Sequence, residues 1–280
     1  METPRIGSLR STLDGGSVSI RWTEWGPANG MPVVCVHGLT RNGRDFDALA
    51  RHLSAQGRRV ICPDMPGRGL SGWLPSGALY SVPTYVAALV PLLAEIGEYD
   101  WVGTSMGGMI GMGLTAMPGV AMRRMVLNDI GPSIPQASLE RIRDYLAVPQ
   151  VFADITALEA YLRRVHAPFG KLSDNEWRHM AEHSARMTAD GRLRLHYDPA
   201  IVEPMAAGPL ADVDLWPLWE LCIQRPVLVL RGETSDLLLP ETAARMATHP
   251  AVQLATIPGC GHAPALMEPS QIALIADFLA

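Results

Sequence analysis

A serine with glycine two residues before it and two after stands at Gly103-Thr104-Ser105-Met106-Gly107, where the apolar run ending at Val102 meets an apolar helical pattern. A side chain on a strand-to-helix hairpin is forced into strained backbone geometry, and glycines at the outer positions let strand and helix approach closely. The strain exposes the Ser105 hydroxyl at a helix N-terminus, whose dipole favours negative charge developing there. A serine hydroxyl is a weak nucleophile at neutral pH and needs a base, which in turn needs an orienting carboxylate. Two later loops offer both. The apolar run Val227–Leu230 leads into Arg231-Gly-Glu-Thr-Ser-Asp236, and Val252–Ile257 leads into Pro258-Gly-Cys-Gly-His262-Ala-Pro264, which gives the chain order Ser105, Asp236, His262. A second carboxylate competes with Asp236: Asn128-Asp129 ends the strand that follows the serine, although Asp129 could instead shape a hinge with Gly131 and Pro132.

These residues need a scaffold that brings strand ends to one edge. Ser17–Glu24 alternates like a half-buried strand, whereas Val33–Val36, Arg59–Cys62, Trp101–Gly103, Met125–Leu127 and Val227–Leu230 are short, nearly continuous apolar runs, the pattern of parallel strands covered on both faces. Helical spacing fills the gaps at 46–55 and 82–96, and a final strand, 252–257, precedes a final helix, 270–279. The alternation breaks after Ile130: Gly131–Arg225 is far longer than a crossover needs. Helical stretches near 138–146, 156–166 and 174–186 make this an inserted helical cap. The expected organisation is an α/β core, 1–131 with 226–280, interrupted by a lid, 132–225.

With these motifs the chain resembles the α/β-hydrolase superfamily along almost its whole length outside the cap. The carrying residues are His37-Gly38 after the third strand, Asp64-Met-Pro-Gly-Arg-Gly-Leu-Ser71 after the fourth, the elbow at Ser105, Ser235-Asp236, and Gly261-His262. The resemblance implies a mostly parallel central sheet flanked by helices, with the cap after the sixth strand. It also implies Ser105 as nucleophile, His262 as general base and then acid, Asp236 as the orienting carboxylate, and the backbone N–H groups of Met106 and Leu39 as the oxyanion hole. A single His-Gly step replaces the longer glycine run of some lipases. Asp64 reads as structural and His37 as a support of the oxyanion loop. Serine at the elbow implies acyl chemistry: hydrolysis of a carboxylic ester, with lactones or polyesters within range, through an acyl-enzyme. Thioester, amide and carbon–carbon hydrolysis on the same residues, and a non-catalytic small-molecule receptor, are the alternatives.

Other motifs compete less well. Gly67-Arg-Gly-Leu-Ser-Gly72 has dinucleotide-binding spacing, but Trp73-Leu-Pro-Ser-Gly77 cannot extend the helix such a site requires. His179-Met-Ala-Glu-His183 places two imidazoles one helical turn apart, as in a zinc hydrolase, without a third ligand at a set spacing. No cofactor or metal is therefore expected. Met106, Met109, Met112, Ile110 and Leu114 read as a packed helix behind the elbow. The cap aromatics Tyr145, Phe152, Tyr161, Phe169, Trp177, Trp216 and Trp219 divide between packing and an apolar pocket in a way that spacing does not resolve.

Composition sets the outer limits. Hydrophobic residues at 48% and charged residues at 18% of 280, with net charge -5, exclude a disordered chain. Of the 23 basic residues all but Lys171 are arginine, with no basic run to suggest nucleic acid. No segment reaches the roughly 18 apolar residues of a membrane span, and no signal peptide is visible, so a cytoplasmic enzyme acting on a small ester with apolar groups is expected. Cys35, Cys62, Cys222 and Cys260 lie far apart and read as buried thiols.

Overall fold

The computed structural model describes residues 3–146, 148 and 150–280. The chain opens with β1 (Arg5–Leu13), β2 (Gly16–Trp25) and β3 (Pro32–Val36), followed by α1 (Asp47–Ala55), β4 (Arg59–Asp64), α2 (Val82–Ile96), β5 (Tyr99–Thr104), α3 (Met106–Leu114) and β6 (Met122–Asn128). The inserted segment carries β7 (Ser133–Ile134), α4 (Gln136–Leu146), β8 (Val151–Phe152), α5 (Ile155–Val165), α6 (Asp174–Ser184), β9 (Ala185–Met187), β10 (Leu193–Leu195), α7 (Glu203–Ala206), β11 (Val213–Asp214) and α8 (Trp216–Cys222). Then come β12 (Val227–Gly232), α9 (Pro240–Met246), β13 (Val252–Ile257) and α10 (Pro269–Leu279).

Eight strands form one sheet in the order β1-β2-β4-β3-β5-β6-β12-β13, antiparallel through β1, β2 and β4 and parallel from β4 onward. The two-residue period of a strand explains the continuous apolar runs. Val34 and Val36 face the core under α2 and α3, while Val33 and Cys35 face the core under α1 and α10. Trp101 and Val102 divide the same way, as do Val229 and Leu228. β1 was not legible beforehand; it is an edge strand whose side chains are mostly exposed, so no apolar run marks it.

Among the described residues the 132–225 span contributes no strand to the main sheet and holds instead two small sheets, β8-β10-β9 and β7-β11, with a separate core around Leu158, Leu162, Trp177 and Met180. Its helices lie where their spacing suggested, with α5 capped by Asp154 and α6 by a reciprocal Ser173–Glu176 capping box. Residues 185–186, expected as the end of the 174–186 helix, belong instead to strand β9, because the chain leaves helical geometry at Ala185 and pairs with β10. All four cysteines are buried and free. Among the described residues no helix is long and apolar enough to cross a membrane.

Candidate functional site

The elbow is built by close approach. Ser105 sits between β5 and α3 at φ 50°, the left-handed region that costs a side-chain-bearing residue energy, and its amide is held by the Asn128 carbonyl at 3.0 Å. A Cβ on Gly103 would come within 2.5 Å of the Gly107 backbone, and one on Gly107 would overlap the Val36 carbonyl. The two glycines therefore let strand, serine and helix meet.

The Ser105 hydroxyl donates to His262 Nε2 at 2.8 Å, and His262 Nδ1–H donates to Asp129 Oδ2 at 2.7 Å. This corrects the expectation for Asp236. Its side chain is 53% exposed and lies in an ion pair with Arg141 on α4 at 2.7 Å, while its carbonyl accepts from Ser138. The physical reason lies one residue earlier. Ser235 turns inward, donating its hydroxyl to Asp129 Oδ2 at 2.6 Å while accepting the amides of Leu237 and Leu238, so the loop after β12 projects its next side chain to solvent. Asp129 is fully buried at φ 55° immediately after β6, and Gly232 N–H donates to its Oδ1 at 2.7 Å. Three donors converge on one carboxylate: an amide, a hydroxyl and the imidazole. Asn128-Asp129 at the strand end carries the signal in the sequence, where Gly232-Glu-Thr-Ser-Asp236 competes with it.

Leu39 and Met106 both border the serine. Met106 N–H is the first of α3, where no preceding turn supplies an acceptor. The Leu39 peptide is fixed from its other end, since Arg68 Nε donates to its carbonyl at 2.8 Å. His37 braces the same loop: Nδ1–H donates to the Gly38 carbonyl and Nε2 accepts the Met65 amide at 3.0 Å. Burial, assisted by the charges of Arg68 and Arg41, holds its pKa down at about 3, so the ring is neutral and fixed in one tautomer. Asp64 receives the amides of Gly43 and Leu70 and organises the loop after β4; burial raises it to about 6 against those two bonds. Gly67–Gly72 closes on itself through Gly67 N–H to the Gly72 carbonyl and starts no helix.

A cavity of about 320 Å³ opens over Ser105 and His262. It is lined by residues 37–41, Thr104 and 262–265 on one part of the chain and by residues of the 132–225 span, including Arg141, Tyr145, His166, Phe169 and Met180, on another. The aromatics now sort: Tyr145 and Phe169 line the cavity, Phe152, Tyr161 and Trp177 pack inside the insertion, Trp219 joins the main core, and Trp216 stacks under Arg245. Met106 packs in the core, with Arg68 3.7 Å from its sulfur.

His179 and His183 on α6 approach Asp47 on α1, their ligand-type atoms lying within 4.8 Å of one another. This is the third group that spacing alone did not reveal. Three bonds from Arg44 commit the Asp47 carboxylate, and His179 Nε2 already donates to the Arg44 carbonyl at 3.1 Å and lies 3.3 Å from Asp47 Oδ2. Burial works to lower His179, but the bonds to Asp47 and Arg44 outweigh it and raise its pKa, whereas burial and the neighbouring charges of Arg44 and His179 lower His183 to about 4. The cluster joins the insertion to the core, and the Arg44 guanidinium already engages the Asp47 carboxylate that a cation would need.

A model of the family described as "Alpha/beta hydrolase family" matches residues 33–276. The chain is similar to the 3-hydroxybutyrate-oligomer hydrolase of Cupriavidus necator, 42% identical over 291 residues and covering 99% of this chain and 98% of that protein. It is also similar to the 2-(acetamidomethylene)succinate hydrolase of Mesorhizobium japonicum, 29% identical over 255 residues, 89% of this chain and 87% of that one. Among solved structures, an alpha/beta hydrolase from Novosphingobium aromaticivorans is 36% identical, covers 100% of this chain and 99% of its own, and superposes with a TM-score of 0.88.

Proposed function

The chain belongs to the alpha/beta hydrolase family and has its fold, and on that premise we propose that it hydrolyses carboxylic esters through an acyl intermediate on Ser105. The observation that carries this reading is the continuous relay from Ser105 Oγ to His262 Nε2 at 2.8 Å and from His262 Nδ1 to Asp129 at 2.7 Å, starting from a strained elbow. Ser105 Oγ attacks the ester carbonyl as His262 takes its proton; the carbonyl oxygen gathers negative charge against the amides of Leu39 and Met106. The carbon–oxygen bond then breaks, His262 protonates the departing alcohol, and water activated by the same imidazole releases the acid. Asp129, fixed by Gly232 and Ser235, keeps the Nδ1 proton in place and stabilises the imidazolium.

The apolar side of the cavity suits short acyl chains, and the similarity to a 3-hydroxybutyrate-oligomer hydrolase supports oligoesters of small hydroxy acids as the substrate class. The insertion acts as a lid over a small-molecule ester, in an enzyme working in the cytoplasm without metal, membrane or nucleic acid. A p-nitrophenyl ester panel with Ser105→Ala as control tests the reading, together with mass analysis after phenylmethylsulfonyl fluoride. Turnover lost in the variant and a single adduct on Ser105 are expected. An unlabelled Ser105 in an active enzyme would overturn it, and turnover of thioesters or amides but no oxygen ester would move the reaction to those bonds.

A further inference from the structure

One polar side chain in the cavity has no hydrogen-bond partner among the described residues. His166 is only 8% exposed and lines the cavity, yet neither ring nitrogen hydrogen-bonds to another described residue. Its amide bonds the Leu162 carbonyl at 2.7 Å, ending α5, and its ring stacks on Phe169 with centroids 4.4 Å apart and planes 26° from parallel. Neither ring nitrogen is sealed from the cavity, so a substrate group that enters can replace solvent there as its hydrogen-bond partner.

The position of this ring is set by the loop that carries His262. Gly261 N–H donates to the Pro168 carbonyl at 2.7 Å and Ala265 N–H to the Phe169 carbonyl at 3.1 Å, and a Cβ on Gly170 would meet Cys260 Sγ at 2.6 Å. The 166–169 turn is thus clamped to the His262 side of the cavity, the side on which a departing alcohol is protonated. Burial, with the charges of Arg41 and His262 adding to it, lowers the His166 pKa well below the ordinary range, so the ring is neutral and offers one donor and one acceptor.

We infer that His166 binds an oxygen carried by the alcohol half of the substrate, as in esters of hydroxy acids, whose alcohol half bears a carboxyl or ester carbonyl. The assignment rests on the ester reading above and narrows it. A plain alkyl ester leaves the imidazole unpaired, and sites built to hydrogen-bond a substrate group discriminate against analogues that lack it.

The test compares methyl 3-(butyryloxy)butanoate with hexan-2-yl butyrate, which share acyl group, branching and chain length but differ in the ester carbonyl and its oxygen, with release of butyric acid as the readout, on the wild type, His166→Phe and His166→Gln. Phe keeps the stack and removes both hydrogen-bonding atoms; Gln restores a donor and an acceptor. The kcat/KM ratio of the first ester to the second should fall roughly 3- to 10-fold in the Phe variant, mainly through KM, and recover in part in Gln. The better intrinsic leaving group of the first ester is common to all three enzymes and cancels. A ratio unchanged in the Phe variant overturns the assignment and leaves the imidazole to solvent. An NMR titration with methyl 3-hydroxybutanoate and sec-butanol needs neither turnover nor a folded variant. Wild-type binding of the first at least about 3-fold tighter, with the His166 ring resonances shifted by it, supports the assignment even if no ester is cleaved, an outcome that would fault only the ester reading; equal binding, or a preference that leaves those resonances unmoved, overturns it.

Discussion

The sharpest perturbation is Asp129→Asn beside Asp236→Asn. Asp129, itself fully buried, accepts from the buried Gly232 N–H and Ser235 O–H and from His262 Nδ1–H. An asparagine there has one oxygen for three donors, and its NH₂ must face at least one of them. The relief open to the site is to rotate the amide so that it donates to His262 Nδ1, which moves the proton to Nε2, where the Ser105 hydroxyl requires an acceptor. The wrong tautomer is then present in the ground state, and in related chemistry this costs about 10⁴ in kcat, or roughly 5 kcal/mol of transition-state stabilisation. Asp236→Asn loses an exposed pair with Arg141 worth about 0–1 kcal/mol and should stay within a few-fold of wild type. Both are measured as kcat and KM on p-nitrophenyl butyrate, with thermal unfolding to separate misfolding from lost catalysis. A folded Asp129→Asn enzyme retaining a tenth of its kcat, or an Asp236→Asn enzyme as crippled as the other should be, would refute the reasoning.

Gly107→Ala places a methyl group on the Val36 carbonyl, so loss of turnover with a melting point depressed by several degrees is expected; a wild-type melting curve would count against the close-packed elbow. His37 is neutral in the fold down to about pH 3 but takes a proton near 6.5 when unfolded. The stability it contributes is therefore complete above 6.5 and declines by about 1.4 kcal/mol per pH unit on acidification toward 3, and urea titrations should show a shallower decline in His37→Gln. Double replacement of His179 and His183 by glutamine, or dialysis against EDTA, should leave ester turnover within a few-fold, whereas abolition by the chelator would restore the zinc reading.

Much of this arrangement could be read from residue order. The parallel strands announced themselves because side chains on both faces are buried, and Ser105 and His262 because each stands in a glycine-framed loop at a strand end. The carboxylate did not. Whether Ser235 or Asp236 faces inward depends on the turn geometry after β12, and two adjacent polar residues give no periodicity from which to infer it. The short pairings of β7 to β11 were equally hidden, since two- and three-residue strands carry no alternation to detect. His166 reads as the end of a helix, which it is; that its ring nitrogens have no hydrogen-bond partner among the described residues becomes visible only when its surroundings are known.

Ser105 and Asp129 leave neighbouring strands, β5 and β6, and the Asn128 carbonyl between them holds the serine amide. The proposed nucleophile and the carboxylate of the proposed relay thus precede the 132–225 excursion in the chain, and the Gly232 and Ser235 donors that fix Asp129 follow it from β12 and its loop. A graft exchanging that excursion for one from another hydrolase would keep this half of the machinery intact. What the graft must restore is the pair of backbone bonds by which Pro168 and Phe169 steady the segment delivering the imidazole.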